Sequence, residues 1–505
     1  MKESILFSAC MLLTAESAVY AGNGDSLSPP KEKPNILIIQ CDQQRYDCLG
    51  YTGNPIVKTP NIDRLAAQGM QFTRAYTPIP TSCPARQCLL SGQWPEQHGG
   101  LWNYDITLPV RLFDSDTWTE RLHDEGYRTG YVGKWHVHPT KTPLDFGFDD
   151  YVNEAQYAAW LKSEGKRLHR VNTGKTAMMG GYDSIDKETS SVHWFVRQAI
   201  ELIRKYEREG KPWHLRLDYV EPHLPCYPVK EFYDRYASRS IPQWPNFPDD
   251  LENKPYIQRQ QILNWTLEDY TWADWERYMR SYYAVVEQVD DAIGILIEEL
   301  EKEGLTDHTM IVYTADHGDA AGSHGMLDKH YVMYEEEVHV PLIVRWDGVV
   351  EAGSRCDAFI CHALDLAATI PEIAGFEFAS AGASLMPLLT GQRDTTCRDY
   401  AFSNYNGQQF GLFVRCTNRP NCCPFVQRMV RDERYKYVWN PTDTDEFYDL
   451  QEDPYEMINQ IANPAYAPEV ARLRKVLYED LVKRKDAAAG NPSAAKRQLL
   501  EGMKH

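Results

Sequence analysis

The most constraining feature of this sequence is a series of short apolar, β-rich runs separated by helical patterns. The first run, Asn35–Gln40, has an entirely apolar centre, which is typical of a strand buried on both faces of a parallel sheet. Similar runs lie at Thr129–Val132, Leu215–Val220, Met310–Thr314 and Pro341–Val344, and helical patterns lie at Pro60–Gly69, Thr117–Glu125, Val192–Glu209 and about 273–303. This alternation predicts an α/β layer architecture.

The pattern changes near Gly391–Thr395, where we place a domain boundary. Short hairpin-like strands follow at Phe410–Arg415, Gln427–Arg431, Tyr435–Trp439 and Glu446–Asp449, and then a helix at Ala467–Lys485. The predicted organisation is a leader at residues 1–21, a main domain at 32–392 and a C-terminal α+β subdomain at 393–505. Within the main domain, residues 145–275 are rich in loops and tryptophan and are interpreted as an insertion.

The amino terminus has the features of a secretory signal. Lys2 precedes the apolar run Ile5–Leu13, and Val19–Ala21 offers small residues for cleavage. Phe7–Cys10 faintly resembles a lipoprotein box, but apolar residues continue past Cys10. No later run reaches the roughly 20 apolar residues of a membrane span. We therefore expect an exported, periplasmic protein without a membrane-embedded part.

Charge and cysteine content restrict the partners. The 505 residues carry a net charge of -19, which argues against a nucleic-acid or polyanion scaffold. An anionic substrate would need a local cationic pocket on this acidic protein. Cys416, Cys422 and Cys423 cluster in one loop as candidate disulfide partners, and zinc is disfavoured there because the loop has neither a CxxC pair nor a nearby His.

Carboxylates follow two of the predicted strands and indicate a metal site. Asp42 comes directly after the first strand, and Asp316 and His317 follow the run Met310–Thr314. The carboxyl ends of strands in open α/β sheets are where ligands collect, and paired carboxylates suit Ca²⁺ or Mg²⁺. Gln43 could add an amide oxygen. The alternative is that each Asp only caps a turn.

Cationic residues are predicted at the same edge of the sheet. Lys134 and His136 follow one strand, His223 follows another, and Lys329 continues from the Asp316 loop. A single Lys or His on a loop is usually solvated. Together with Arg86, these side chains would form an oxyanion clamp.

The segment Thr81–Arg86 allows two interpretations. Ser82 and Pro84 are typical of a helix start, with Ser82 as N-cap and Pro84 in the first turn. Alternatively, Ser82, Pro84 and Arg86 form an S-x-P-x-R pattern, followed by Leu89-Leu90 and Gly92, that resembles the nucleophile signature of the type I sulfatases.

The resemblance to type I sulfatases of the alkaline-phosphatase superfamily extends from Pro34 to about Asn459. It rests on S-x-P-x-R, the strand ending in Asp42, the segment Gly126–His136, Pro222–Pro225, Ala315–Gly318 with His324, Gly325 and Lys329, and the C-terminal phrases Arg434–Tyr437, Glu446–Leu450 and Asp453–Glu456. It implies a large mixed, mostly parallel sheet sandwiched by helices, with a smaller C-terminal antiparallel-sheet subdomain.

The resemblance also implies the chemistry. Ser82 would be converted to formylglycine by a Ser-type sulfatase-maturating enzyme before export. The hydrated aldehyde would attack the sulfur of a sulfate ester, and Ca²⁺, with Mg²⁺ as the alternative, would be held by residue 82, Asp42, Asp316 and His317. Gln43 stands where many relatives have a second Asp.

The implied roles of the other residues follow the same pattern. Arg86 would hold the aldehyde hydrate, and Lys134 and Lys329 would neutralise sulfate oxygens. His136 would be the base that releases sulfate, and His223 would be the general acid for the leaving alcohol.

Other functions are compatible with parts of this pattern. A phosphonate monoester or phosphodiester hydrolase of the same superfamily and an inactive glycan-binding relative are the alternatives. The secretory signal, the Ser-type site and the tryptophan-rich segment favour a sulfated glycan substrate, such as a glycosaminoglycan or algal fragment.

Overall fold

The computed structural model describes residues 33–104, 112–329, 332–392, 398–408, 424–486, 488 and 498–500. The predicted leader, the expected strand Phe410–Arg415 and the three clustered cysteines lie outside the described residues. None of the helices described is long and apolar enough to cross a membrane.

The main sheet has eight strands in the order β11-β2-β10-β9-β1-β8-β4-β5. The strands of the protein are β1 (Asn35–Asp42), β2 (Met70–Phe72), β3 (Ala75–Tyr76), β4 (Arg128–Gly133), β5 (Asp150–Val152), β6 (Arg170–Asn172), β7 (Gly181–Asp183), β8 (Trp213–Pro222), β9 (Thr309–Ala315), β10 (Leu342–Arg345), β11 (Ser354–Cys356), β12 (Ile360–Cys361), β13 (Ala401–Gln408), β14 (Pro424–Arg431), β15 (Tyr435–Trp439) and β16 (Glu446–Asp449). Strands β9, β1, β8, β4 and β5 run parallel, whereas β10 is antiparallel to both β9 and β2. The sheet is therefore mixed and mostly parallel, as expected.

Helices cover both faces of this sheet. The helices of the described residues are α1 (Pro60–Gln68), α2 (Ser82–Ser91), α3 (Pro95–His98), α4 (Trp118–Asp124), α5 (Glu154–Ser163), α6 (Ser191–Glu209), α7 (Lys230–Tyr236), α8 (Tyr256–Trp265), α9 (Trp272–Lys302), α10 (Glu335–Val338), α11 (His362–Ala374), α12 (Met386–Leu389) and α13 (Ala467–Arg484). Alternate β1 residues point to opposite layers. Leu37 and Ile39 pack with α1, α6 and α9, while Ile36 and Ile38 pack with α2, α4 and α11. This two-sided burial explains the unbroken apolar run in the sequence.

The interpretation of residues 145–275 as an insertion is wrong for much of its length. The segment contains β5 and β8, and β8 lies between β1 and β4 inside the main sheet. It also contains α6, whose apolar side covers one sheet face. The polar pair Arg216 and Asp218 interrupts the apolar pattern of β8, although both side chains are fully buried.

The C-terminal part forms a four-stranded antiparallel sheet, β13-β14-β15-β16. Helix α13 packs Leu473, Leu477 and Leu481 against it. Strand β13 was not predicted, because Ser403 and Asn404 make it look like a polar loop. Both are buried, and the Asn404 backbone N–H donates to the carbonyl of Pro78. The boundary at Gly391–Thr395 falls partly outside the described residues and stays a prediction.

Candidate active site

Four neighbouring parallel strands end at one edge of the sheet and bring the predicted residues together. Strand β1 ends at Asp42, and β9 is followed by Asp316 and His317. Lys134 follows β4 and His223 follows β8. Because these strands are adjacent and parallel, their carboxyl ends share one crevice.

Ser82 enters this crevice from the start of α2. Thr81 is the N-cap and Ser82 is the first helical residue, so the interpretation of Ser82 as N-cap is off by one residue. The Ser82 side chain is fully buried. Its hydroxyl lies 2.8 Å from His317 Nε2 and 3.3 Å from Asp42 Oδ1. The helix start thus presents residue 82 to the two strand ends.

Asp42, Asp316 and His317 form a buried group whose ligand atoms all lie within 4.8 Å of one another. The His317 Nδ1–H donates to the carbonyl of Gly318 at 2.8 Å, which leaves the Nε2 lone pair directed into the group. A backbone carbonyl behind a histidine is a common arrangement around bound metal ions. Burial, and after it the ammonium of Lys329, lowers the pKa of His317 to about 3, so this imidazole is neutral.

The pKa values of the two carboxylates in this group are shifted in opposite directions. Burial and the charge of Asp42 raise the pKa of Asp316 to about 6. Burial opposes ionisation of Asp42 as well, but Lys134 and other cations hold its pKa well below the usual range. Two carboxylate oxygens and one neutral imidazole nitrogen at this spacing fit a divalent cation, which would relieve the repulsion between the acids.

Gln43 lies beside the group with its amide fixed at both ends. Its Nε2 donates to Asp319 Oδ2 at 2.9 Å, and its Oε1 accepts from Lys329 Nζ at 2.7 Å. The backbone is left-handed there, with φ of 63°, and the Gln43 N–H donates to Asp316. Asp319 therefore decides which way the Gln43 oxygen points. The A-D-H-G-D phrase was the only sequence signal for Asp319, and it was overlooked.

Arg86 lies beneath the acidic group and is fully buried. Its guanidinium contacts Asp42 at 2.9 Å, Asp316 at 3.1 Å and Asp218 at 2.8 Å. Asp218 also accepts from the Tyr131 hydroxyl at 2.7 Å. Sequence reasoning missed Asp218, although a carboxylate inside an otherwise apolar strand was a detectable signal. The geometry makes Arg86 a counter-charge that orients the acids of the group.

Two lysines, the partly exposed Lys134 and the buried Lys329, provide positive charge beside this group. Lys134 Nζ lies 2.7 Å from Asp42 Oδ2 and is partly exposed. Lys329 Nζ lies 2.7 Å from His223 Nε2 and 3.2 Å from Asp328. These contacts bring both ammonium groups to the edge where Ser82 lies.

His223 has a defined tautomer. Its Nδ1–H donates to the carbonyl of Leu224 at 2.6 Å, so Nε2 accepts from Lys329. Burial, then Lys329 and Lys134, hold the pKa of His223 well below its ordinary value. His223 is therefore neutral and accepts from the Lys329 ammonium, and although burial opposes that charge, Asp328 and Asp42 raise the pKa of Lys329. His136, with φ of 45°, packs edge-on against Tyr104 at 5.1 Å between ring centroids.

Comparison with known proteins agrees with this geometry. Residues 34–376 match the sulfatase family model, and residues 322–483 match that of the C-terminal region of N-sulphoglucosamine sulphohydrolase. An arylsulfatase of Clostridium perfringens is 26% identical over 94% of this chain and 99% of its own length. An N-acetylglucosamine-6-O-sulfatase of Bacteroides thetaiotaomicron is 26% identical over 94% and 91%. The phosphonate monoester hydrolase of Agrobacterium radiobacter superposes with a TM-score of 0.75 at 25% identity, covering 90% and 95%.

Proposed function

The chain belongs to the sulfatase family and is a sulfuric ester hydrolase, and on that premise we propose that it removes sulfate from a carbohydrate. The convergence of Ser82 with Asp42, Asp316 and His317 carries this proposal. Lys134 and Lys329 beside them supply local positive charge on a protein of net charge -19.

We propose that Ser82 is a precursor. Its side-chain alcohol would lose two hydrogens to a Ser-type maturating enzyme before export to the periplasm, which gives formylglycine. The hydrated aldehyde would supply the attacking hydroxyl and, through its second hydroxyl, the means to expel sulfate. An unmodified serine lacks that second hydroxyl, which is the chemical reason for the modification.

We propose that Asp42, Asp316, His317 and residue 82 hold a divalent cation, with Ca²⁺ as the first candidate. Gln43 would join them if its Oε1 exchanges Lys329 for the ion. Such a cation lowers the pKa of a bound hydroxyl and neutralises developing negative charge. Arg86 keeps Asp42 and Asp316 ionised and oriented toward this position.

The remaining residues act on sulfate and the leaving alcohol. Lys134 and Lys329 bind sulfate oxygens. Lys329 and His223 deliver to the leaving oxygen the proton that they share across 2.7 Å, because an alkoxide leaves slowly without one. His136 takes the proton whose removal releases sulfate.

We propose a glycosaminoglycan or algal glycan fragment as the substrate class. The N-acetylglucosamine-6-O-sulfatase of Bacteroides thetaiotaomicron, which is similar to this chain, supports this proposal. The phosphonate monoester hydrolase among the solved structures supports the alternative, hydrolysis of a phosphonate or phosphate diester at the same site.

The test is sulfate release from a panel of sulfated mono- and disaccharides and from nitrophenyl sulfate. The protein is co-produced with a Ser-type maturating enzyme. Mass spectrometry of the tryptic peptide Ala75–Arg86 verifies the loss of two hydrogens. We expect sulfate release from at least one sugar. Absence of release by protein that carries the aldehyde would refute the proposal, and preferential cleavage of a nitrophenyl phosphonate ester would favour the alternative.

A further inference from the structure

The chain after β9 carries Asp316, His317 and Lys329, and residues 332–338 return to contact its first part. The Gly318 N–H donates to the carbonyl of Glu337 at 2.9 Å, and the Asp319 N–H donates to that of Glu336 at 3.0 Å. A Cβ at Gly318 would lie 1.8 Å from the Glu336 carbonyl oxygen, so only glycine permits this approach. Helix α10, which holds Glu336 and Glu337, therefore fixes the position of Asp316 and His317.

The C-terminal sheet holds α10 in place through buried charges. Lys436, on β15, is fully buried, and its ammonium contacts Glu335 at 2.8 Å, Glu456 at 2.7 Å and the carbonyl of Met333 at 2.8 Å. Arg431 on β14 contacts the other oxygen of Glu335 at 2.7 Å. Although burial opposes ionisation, Arg431 and Lys436 hold the pKa of Glu335 below its usual value.

Further contacts lead from Glu456 to His324, which precedes Lys329 in the chain. Glu456 accepts from the Glu335 N–H at 2.9 Å, and its carbonyl accepts from Lys254 Nζ at 2.8 Å. Lys254 pairs with Asp249 at 2.5 Å, and Asp249 accepts from His324 Nδ1 at 2.6 Å.

His324 lies five residues before Lys329 in the sequence. It adopts a left-handed φ of 52° and stacks on Tyr334 at 3.7 Å. We call the set Arg431, Lys436, Glu335, Glu456, Lys254, Asp249 and His324 the buried charge network; of these side chains, that of Glu335 is partly exposed. The network is anchored on both sides of Lys329.

We propose that Lys436 on β15 and Glu456, which follows β16, are positioning residues for the reaction, because they hold the chain on both sides of Lys329. Stability alone is a poor explanation for the network. Buried ion pairs are often no more stabilising than well-packed apolar residues of the same volume. A network that joins the C-terminal sheet to both ends of one catalytic loop fixes the geometry of that loop.

The inference rests on the proposed sulfate-ester hydrolysis and predicts a specific defect. A shift of Lys329 weakens proton delivery to the leaving oxygen, and a displacement of about 1 Å can cost roughly 100-fold in rate. Esters of sugar alcohols need that proton, whereas nitrophenyl sulfate, with an acidic leaving group, needs it little. General damage to the fold would slow both substrates equally.

The experiment compares Lys436→Met with the wild type in kcat for a sulfated sugar and for nitrophenyl sulfate. We expect a loss of about 100-fold for the sugar ester and less than about 10-fold for the nitrophenyl ester. Glu456→Gln, which retains volume, is measured in parallel and decides the result if Lys436→Met does not fold. Lys475→Met is the matched control, because Lys475 is exposed and pairs only loosely with Glu479 at 3.8 Å.

Equal losses on both substrates, or unchanged kcat in both variants, would overturn the inference. A wild-type enzyme that carries the aldehyde but releases no sulfate would instead refute the proposed function.

Discussion

The proposed reaction centre, with Asp42, Asp316 and His317, and the buried charge network both enclose ionised side chains, but in opposite arrangements. In the centre, Asp42, Asp316 and His317 direct lone pairs to a common point, and the cations stand around them. In the network, acid and base alternate, as in Glu335–Lys436–Glu456. Alternating charges neutralise one another within the protein. Converging donor atoms, by contrast, can bind a positively charged ligand.

Each region holds a carboxyl whose pKa is raised and one whose pKa is lowered. Burial raises the pKa of Asp316 to about 6 and that of Glu456 to about 7, whereas neighbouring cations hold the pKa values of Asp42 and Glu335 below their usual range despite burial. Converging like charges destabilise the protein unless a cation is added. The network holds α10 in position, whereas the converging donor atoms of the centre can bind a cation.

Replacement of the residue between the converging donors should give the largest effect. We expect Ser82→Ala to lower kcat/KM by at least about 1,000-fold, because the precursor of the proposed nucleophile is lost. The free energy of unfolding should change by only about 1 kcal/mol, since one hydrogen bond is removed. Sulfate release and denaturant titration measure the two effects.

Ser91→Ala is the matched control for this prediction. Ser91 ends the same helix and donates one hydrogen bond to the carbonyl of Gln87 at 2.8 Å. Comparable activity losses in Ser82→Ala and Ser91→Ala would contradict the assignment of residue 82 as the nucleophile.

Removal of one arginine from each region tests the comparison directly. Arg86→Met leaves Asp42, Asp218 and Asp316 without a shared cation, so we expect about 3–5 kcal/mol of destabilisation and loss of activity. Arg431→Met leaves Glu335 paired with Lys436, so activity should fall far less. Denaturant unfolding and kcat/KM are measured for both variants. A greater activity loss in Arg431→Met would contradict the assignment of Arg86 to the proposed reaction centre and of Arg431 to a supporting role.

Chelation of divalent cations should affect only the region with converging donors. At a calcium concentration 100 times its dissociation constant, the ion should add about 2.7 kcal/mol to the free energy of unfolding. We expect a chelator to remove this increment from the wild type and from Glu456→Gln, and added Ca²⁺ to restore it. Differential scanning calorimetry of Asp316→Asn should show no increment, and a full response in that variant would place the ion elsewhere.

Another buried carboxylate, Asp290, lies outside both regions and gives the smallest expected effect. It accepts from the N–H groups of Asn61 and Ile62 at 3.0 and 2.7 Å at the start of α1, and burial raises its pKa to about 7. Since this folded-state pKa exceeds the unfolded one, its stabilising contribution is complete at low pH and is lost as pH rises through 7.

Between pH 5 and 6.5 the wild type should therefore lose about 2 kcal/mol relative to Asp290→Asn, which cannot titrate. Denaturant unfolding at each pH measures the difference. A constant difference between the two proteins would show that Asp290 is ionised throughout the range.

The strands that carry the site were predictable because burial on both faces demands continuous apolar sequence. Predicted Met310–Thr314 lies within β9, and predicted Leu215–Val220 lies within β8. The antiparallel direction of β10 was not readable, since it depends on the path of the connecting chain. Strand β13 was missed because its polar residue Asn404 is buried through tertiary contacts, donating from its backbone N–H to Pro78 and from its side-chain amide to Glu96.

The sequence by itself determined the chemical inventory: Ser82 before Arg86, acids at the ends of two strands, and lysines on neighbouring loops. Local spacing and strand direction suffice to place such residues at one edge of a sheet. The tertiary structure alone decided their partners. Asp218 beneath Arg86, Asp319 orienting Gln43, and Lys436 reaching α10 are contacts between residues far apart in the chain. Such pairings depend on how buried charges are neutralised, and that is settled only when the elements pack.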